Sequence, residues 1–405
     1  MEKQRRVLVL VENLPSPFDR RVWQEASALR DAGYAVSIIC PTGKGCEKRY
    51  EVIDGIHIWR YRLPAEGEGA LGYLAEYAAA LAWTFVLSWK VFLTRGFDVI
   101  HACNPPDLFF LIGGFFKLFG KKFLFDHHDA NPELYEAKFG RRDWLYRLMI
   151  LFERLTFRCA DVSIATNESY RRIAMRRGGM PPERVFVVRS GPSLERMKRR
   201  EPVPALKCGK QFLVGYVGVM GRQEGIDYLL RAVAHLVHDL KRTDVHFALA
   251  GGGTSLDEMR TLAKRLGVAD YVTFTGRVPD AEMLAVLNTA DVCVNPDVAN
   301  EMNDISTMNK VMEYMALGKP IVQFDLAEGR FSAQGASLYA RRNNAFDLAV
   351  KITELLDDPA RRALMGAYGR KRVENELEWR YEAPKLLAAY ETLWASPAAR
   401  ERHAV

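Results

Sequence analysis

Short apolar runs rich in valine, isoleucine and phenylalanine alternate along the chain with longer stretches of helical period. In the first half the runs at 7–11, 34–40, 57–61, 98–102, 122–127, 162–165 and 185–188 read as strands. The stretches at 19–30, 73–92, 108–119, 143–157 and 168–176 read as helices. Residues 192–210 interrupt this rhythm with charge and proline, as a linker does. The pattern then restarts, with strands at 212–217, 245–250, 272–274, 292–295 and 321–324. Helices are expected at 226–240, 256–266, 281–288 and 309–317, and residues 344–357 and 360–395 are mostly helical. Strands separated by helices of about 10–15 residues predict parallel βα units. The expected fold is therefore α/β, with two doubly wound Rossmann-like domains facing across a cleft. The divisions are an N-terminal domain at 1–195, a linker at 196–210 and a C-terminal domain at 211–380. A helix at 381–405 is expected to return toward the first domain, which would give Trp379 and Trp394 a surface to pack on. A chain of 405 residues suits two such cores.

Composition narrows the function classes. Lysine plus arginine number 57 against 50 acidic residues, a net charge of +7. That mild excess permits an anionic ligand or a membrane surface and requires neither. No arginine-rich tail, zinc-finger spacing or aromatic–basic ladder occurs, so nucleic acid is not an expected partner. The apolar run at 7–11 is short and meets Glu12, so it reads as a first strand rather than a signal peptide. The six cysteines are scattered without a CxxC pair, which fits reduced thiols in the cytoplasm. Residues 78–89 carry no charge but fall short of the roughly 20 residues a spanning helix needs. They read as a core helix or as one facing the inner leaflet. Together with the phenylalanine-rich 108–119, which ends near Lys117, Lys121 and Lys122, they allow peripheral contact with the inner face of the cell membrane.

Chemistry should lie in loops that follow strands, because open parallel sheets bind ligands at their carboxyl edges. The Gly251-Gly252-Gly253-Thr254 loop offers backbone N–H groups to a phosphate at a helix start, or serves only as a tight turn. No Walker loop and no opening GxGxxG accompany it. In the loop from Gly218 to Gly225, Arg222 could bring a rigid fork of donors to a diphosphate or lie solvated. Asp126-His127-His128-Asp129 ends a strand, where neighbouring side chains diverge. His128 is the candidate for a reacting carbon or sugar hydroxyl, and His127 for packing. No third ligand is evident nearby, so no metal is expected. Lys310 and Glu313 lie three apart at a helix start and share a face. The lysine could neutralise a leaving diphosphate and the glutamate could accept both hydroxyls of a ribose, unless the two form an ordinary surface pair. Gly318-Lys319-Pro320 stops that helix.

The segment from Lys310 to Pro320, the His128-Asp129 strand end and Phe274-Thr275-Gly276-Arg277-Val278 together resemble the retaining glycosyltransferases of family 4, with their GT-B fold. The resemblance implies that Glu313 holds the nucleotide ribose, that His128 lies near the reaction centre, and that the loop at Arg277 and Val278 holds the base through backbone. It implies donor contacts from Gly252, Gly253, Asp304 and Thr307. The loop at 13–21, through Ser16, Phe18 and Arg20, would sit by the acceptor and diphosphate. The implied reaction is retaining transfer from a UDP- or GDP-linked sugar to a saccharide or polyprenyl-diphosphate-linked acceptor, in bacterial surface polysaccharide synthesis, with no metal or other cofactor required. The chain departs from the family pattern at Ile305, where a second glutamate is usual and Asp304 is one residue away. Val219 and Glu224 replace the usual arginine and lysine, and Arg222 and Lys310 are expected to restore that charge. A nucleotide-sugar epimerase of the same fold is one alternative. A noncatalytic sugar-binding or scaffolding subunit is the other, kept open by Ile305.

Overall fold

The computed structural model describes residues 4–63 and 69–395. Residues 396–405 of the expected returning helix lie outside the described residues. The chain forms two compact units, one of residues 1–190 with 382–405 and the other of residues 191–381.

The first unit is built on one sheet of eight strands: β1 (Arg6–Leu10), β2 (Ala35–Pro41), β3 (Tyr50–Ile53), β4 (Ile56–Tyr61), β5 (Val99–Cys103), β6 (Lys122–His127), β7 (Val162–Ala165) and β8 (Val185–Val187). Their order is β3-β4-β2-β1-β5-β6-β7-β8. Among the described residues only β3 and β4 pair as antiparallel strands, joined by Asp54 and Gly55, both at positive φ. Such a two-residue turn matches the twist of a hairpin. β1 lies between β2 and β5, with Val9 opposite Ile38 on one side and His101 on the other. Residues 7–10 are buried on both faces, which is why the run is continuously apolar rather than alternating. Because successive strands add to opposite sides of β1, the carboxyl ends of β1 and β5 form the switch point where ligands enter such sheets.

The helix Arg20–Asp31 starts where the Asp19 side chain accepts from Val22 N at 3.2 Å, and it turns Arg21, Val22, Glu25 and Leu29 inward. The helix Gly69–Thr94 is longer than the expected 73–92. Trp89 and Phe92 pack on Phe115, Phe116 and Phe119 at the helix Phe110–Lys117. The helix Trp379–Trp394 does return to the first unit from Glu382 onward. Tyr390 lies edge-on to Tyr34 at 5.4 Å, and the Glu382 carboxylate accepts from Arg189 N at 2.9 Å. A helix at Asn131–Phe139, absent from the sequence reading, opens with Pro132 and closes on Gly140 in the left-handed conformation.

The second unit holds six parallel strands: β9 (Phe212–Val217), β10 (Val245–Ala250), β11 (Val272–Gly276), β12 (Val292–Asn295), β13 (Ile321–Phe324) and β14 (Ser337–Ala340). The order is β11-β10-β9-β12-β13-β14, so the switch point falls between β9 and β12. Residues 196–210 are fastened to this unit. Met197 is fully buried, Arg200 N donates to Asn288 Oδ1 at 2.9 Å, and Val203 N donates to Thr289 Oγ1 at 2.9 Å. Gly225 brings the β9 and β12 loops together. It has φ of +63°, and a Cβ there would stand 1.9 Å from Pro296 O. Gly225→Ala should therefore cost about 2–4 kcal/mol in chemical denaturation, from overlap and backbone strain together. An unchanged midpoint would show that the loop yields freely.

Candidate functional site

In the second unit the loops after β9, β10 and β11 are tied side by side. Gly218 N donates to Ala250 O at 3.1 Å, Met220 N to Gly252 O at 3.0 Å and Gly251 N to Gly276 O at 2.9 Å. Gly251 has φ of +149°, and a Cβ there would fall 1.8 Å from Gly218 O, so only glycine allows this approach. A Cβ on Gly252 would lie 3.7 Å from Arg277 N, which brings those two expected donor residues together. On Gly253 a Cβ would meet the Met220 backbone at 2.5 Å. Arg277 is exposed, while Val278 packs on the core.

The helix Asn309–Ala316 is pinned to this edge by Tyr314, whose hydroxyl accepts from Val217 N at 3.0 Å and donates to Val294 O at 3.3 Å. It delivers Lys310 to the switch point. Lys310 Nζ donates to Glu224 Oε2 and to Asp297 Oδ1, both at 2.8 Å, and stands 5.0 Å over the Tyr216 ring. One ammonium thus serves two carboxylates. Asp297 is 1% exposed, and its Oδ2 is buried with no hydrogen-bond partner among the described residues. Burial pushes the Asp297 carboxyl up to about 7, against the pull of Lys310 and with a push from Glu224. Lys310 is held well above the ordinary lysine range: burial lowers it, but Asp297, Tyr216 and Glu224 outweigh that.

Lys310 and Glu313 are not a pair. Glu313 Oε1 accepts from Arg196 Nη1 at 2.8 Å, and Arg196 Nε reaches Asp280 Oδ2 at 2.6 Å. Arg196, read only as part of a linker, is thereby brought beside the expected ribose residue. Asp304 is turned to other work: its Oδ1 accepts from Ala327 N at 2.9 Å and from Arg342 Nη2 at 2.7 Å. It lies in a short helix, Glu301–Ile305. Thr307 follows in the half-buried turn before Lys310. Arg222 lines a groove of about 670 Å³ with Asp227, Arg231, Asp257, Glu258 and Arg265, on a surface that Lys310 does not line.

In the first unit, His127 is fully buried against Phe125, Phe157 and Tyr170. His128 is 13% exposed at the end of β6. Asn104, at the end of β5, clamps its backbone. Asn104 Oδ1 accepts from His128 N at 2.6 Å and Asp129 N at 3.1 Å, and Asn104 Nδ2 donates to Asp129 O at 2.7 Å. The His128 ring nitrogen Nε2 meets Asp126 Oδ2 in a short hydrogen bond. Behind it, Arg21 forks onto Asp126 with Nη2 at 2.9 Å from Oδ1 and contacts Glu25 Oε1 at 3.0 Å. Burial raises the Asp126 carboxyl, but Arg21, His128 and His101 together hold it well below the usual carboxylate range. Glu25 is pushed well above its range, chiefly by burial, with Arg21 opposing and Asp126 adding.

The expectation that no further ligand stands near Asp126 is corrected here. Glu25, His101, Cys103 and Asp126 present ligand atoms within 4.8 Å of one another. Distant strands and a helix converge on this point, which adjacency in the sequence cannot reveal. Arg21 already occupies both acids, so the chain supplies its own cation to the cluster. Of the loop residues, Ser16 is fully buried, with its N donating to Cys40 Sγ at 3.3 Å and its carbonyl accepting from Arg60. Phe18 is half-buried and Arg20 exposed. The neighbouring Arg21 reaches Asp126 and Glu25.

Residues 19–191 match the family model described as glycosyl transferase 4-like domain, and residues 211–358 match the model described as glycosyl transferases group 1. The chain is 28% identical over 252 residues to a 2-deoxystreptamine glucosyltransferase of Streptomyces kanamyceticus, covering 61% of this chain and 62% of the relative. It is 30% identical over 172 residues to a GDP-mannose-dependent alpha-(1-6)-phosphatidylinositol monomannoside mannosyltransferase of Mycolicibacterium smegmatis, covering 40% and 44%. The matches thus span about half to under two thirds of those relatives' lengths. In fold, the chain is similar to a sucrose-phosphate synthase from Thermosynechococcus elongatus, with a TM-score of 0.77 at 20% identity over 96% of this chain and 99% of the other. A putative UDP-N-acetylglucosamine 2-epimerase from Listeria monocytogenes shares it too, with a TM-score of 0.64 at 13% identity, covering 97% of each. These likenesses establish the architecture of two Rossmann-like domains, GT-B.

Proposed function

We infer the activity from one premise: the chain belongs to the glycosyl transferases of group 1, with a glycosyl transferase 4-like domain ahead of it. It moves a sugar from a nucleoside diphosphate sugar to an acceptor hydroxyl. The observation that carries this reading is the delivery of Lys310 to the β9–β12 switch point, beside the bundled glycine turns. Negative charge develops on the departing diphosphate, and a preorganised ammonium with backbone N–H groups is the arrangement that stabilises it. Glu313 takes the ribose hydroxyls and Arg196 orients its carboxylate. Transfer proceeds with retention, the leaving phosphate oxygen assisting removal of the acceptor proton. The acceptor is a saccharide or a polyprenyl-diphosphate-linked saccharide of surface polysaccharide synthesis.

A screen of UDP- and GDP-linked sugars by ligand-induced melting shift tests the donor class, and the anomeric signal of the product tests retention. Glu313→Ala should weaken nucleoside diphosphate binding about 10- to 100-fold by calorimetry, since it leaves ribose hydroxyls unpaired. Unchanged affinity for both UDP and GDP would remove Glu313 from the ribose.

Contact with the inner face of the membrane belongs to the same reading. The window Tyr77–Thr94 is apolar and only 22% buried, with Trp83, Val86 and Leu93 exposed on it. Lys90 lies exposed on the same helix, and Leu118 and Phe119 are exposed after the neighbouring one. An apolar face edged by lysine suits the headgroup region of anionic lipid. Trp83→Glu with Leu93→Glu should abolish flotation with phosphatidylglycerol vesicles; equal flotation would point to another surface.

A further inference from the structure

Asp126 is fully buried and is the meeting point of the polar groups behind His128. Its Oδ1 accepts from Arg21 Nη2 at 2.9 Å. Its Oδ2 accepts from Arg21 Nε at 3.4 Å, from His101 Nε2 at 3.4 Å, from Cys103 Sγ at 3.8 Å and from His128 Nε2. Arg21 is permanently charged and forked onto the acid, which keeps Asp126 ionised. An ionised carboxylate has acceptor sites only. Every nitrogen facing it must therefore bring the hydrogen.

A neutral imidazole carries one ring hydrogen. In neutral His128 that hydrogen lies on Nε2, and Nδ1 keeps a lone pair. His101 obeys the same rule: Nε2 donates to Asp126, and Nδ1 accepts from Tyr390 Oη at 2.8 Å. Two residues, His101 and Asp126, thus stand between the Tyr390 hydroxyl of the C-terminal helix and His128 along one hydrogen-bonded line. Asn104 clamps the His128 backbone from the β5 side, so the ring is fixed at both ends.

We propose that Asp126 is a positioning residue that locks His128 with its hydrogen on Nε2, leaving Nδ1 to accept a hydrogen bond from a hydroxyl of the donor sugar or acceptor. The identity of the hydroxyl rests on the transferase reading; the tautomer does not.

Long-range proton–nitrogen NMR of the full chain, labelled with ¹⁵N-histidine and free of substrate, reads the tautomer directly, with His128→Gln assigning the signal. Where the ring is neutral, a protonated Nε2 and a bare Nδ1 are expected. A hydrogen on Nδ1, or an averaged signal, overturns the proposal. Asp126→Asn keeps the shape but can donate to Nε2 and release the other tautomer. Transfer should fall about 10- to 100-fold, the worth of a hydrogen bond to a charged partner, with the His128 signal moved; calorimetric donor affinity falls with it where the hydroxyl belongs to the donor sugar and holds where it belongs to the acceptor. Wild-type transfer with an unmoved signal overturns the assignment. If Asp126→Asn does not fold, the wild-type spectrum decides alone. A chain that turns over no nucleotide sugar would defeat the transferase reading and leave the tautomer result standing.

Discussion

Replacing Arg21 with methionine should destabilise the first unit by about 3–5 kcal/mol, because it strips the cation from a buried carboxylate and leaves the charge behind. Arg21 is 8% exposed, and Asp126 and Glu25 are buried around it. Burial pushes the Glu25 carboxyl toward its neutral form, while Arg21 holds Asp126 toward its ionised form. Methionine fills much of the arginine stem, which isolates the charge effect from cavity formation. The measurement is chemical denaturation followed by tryptophan fluorescence, with Arg21→Lys as a partner that keeps the charge but loses the fork. A loss under about 1 kcal/mol would mean that Asp126 simply takes up a proton when its cation is gone. The pH dependence has a definite sign. Asp126 is depressed in the folded chain, so its contribution is present above the ordinary carboxylate range and is lost as pH falls toward its folded value.

This cluster also shows what the sequence can and cannot carry. The βα rhythm was legible because parallel strands buried on both faces are continuous apolar runs: 162–165 and the helix Glu168–Arg176 fall where the pattern puts them. The hairpin strand β3 was missed although Asp54-Gly55 is a strong turn signal, since Tyr50 and Val52 are exposed and leave no apolar run. The short strand β14, at the sheet edge, was missed for want of length. His128 stood out beside a strand end, and Lys310 and Glu313 by their spacing at a helix start. Asp126 was visible only as a neighbour, and Arg21, Arg196 and Asp297 not as site residues at all. Their roles depend on which strand ends meet, which is a property of sheet order. Arg21 reaches Asp126 across 105 residues and Arg196 reaches Glu313 across 117. Arg222 lines a groove with Asp227, Arg231 and Arg265, while Lys310 comes from a separate helix to stand against Glu224.

Lys310→Met should reduce transfer by about 10²–10³-fold, the scale on which one preorganised group facing developing charge acts. The pH dependence of donor affinity then separates this role from mere packing. In the free protein Lys310 is shared between Glu224 and Asp297. A diphosphate that recruits the ammonium leaves Asp297 buried without its cation, which raises a carboxyl already pushed up to about 7. Binding should therefore take up a proton, and affinity should fall as pH rises through and above neutrality, by up to about tenfold per pH unit. The same raised carboxyl makes folding stability fall as pH rises from the ordinary 3.8 toward about 7, because the folded chain holds the proton more tightly than the unfolded one. An intact nucleoside diphosphate sugar is the right titrant, since its diphosphate is esterified at both ends and does not itself titrate near neutrality. Calorimetry in buffers of different ionisation enthalpy counts the proton. Asp297→Asn should abolish the uptake and flatten the profile while keeping Lys310 paired with Glu224. A pH-independent affinity in the wild-type chain would mean that the diphosphate never takes the ammonium from Asp297, and the phosphate role would have to move away from Lys310.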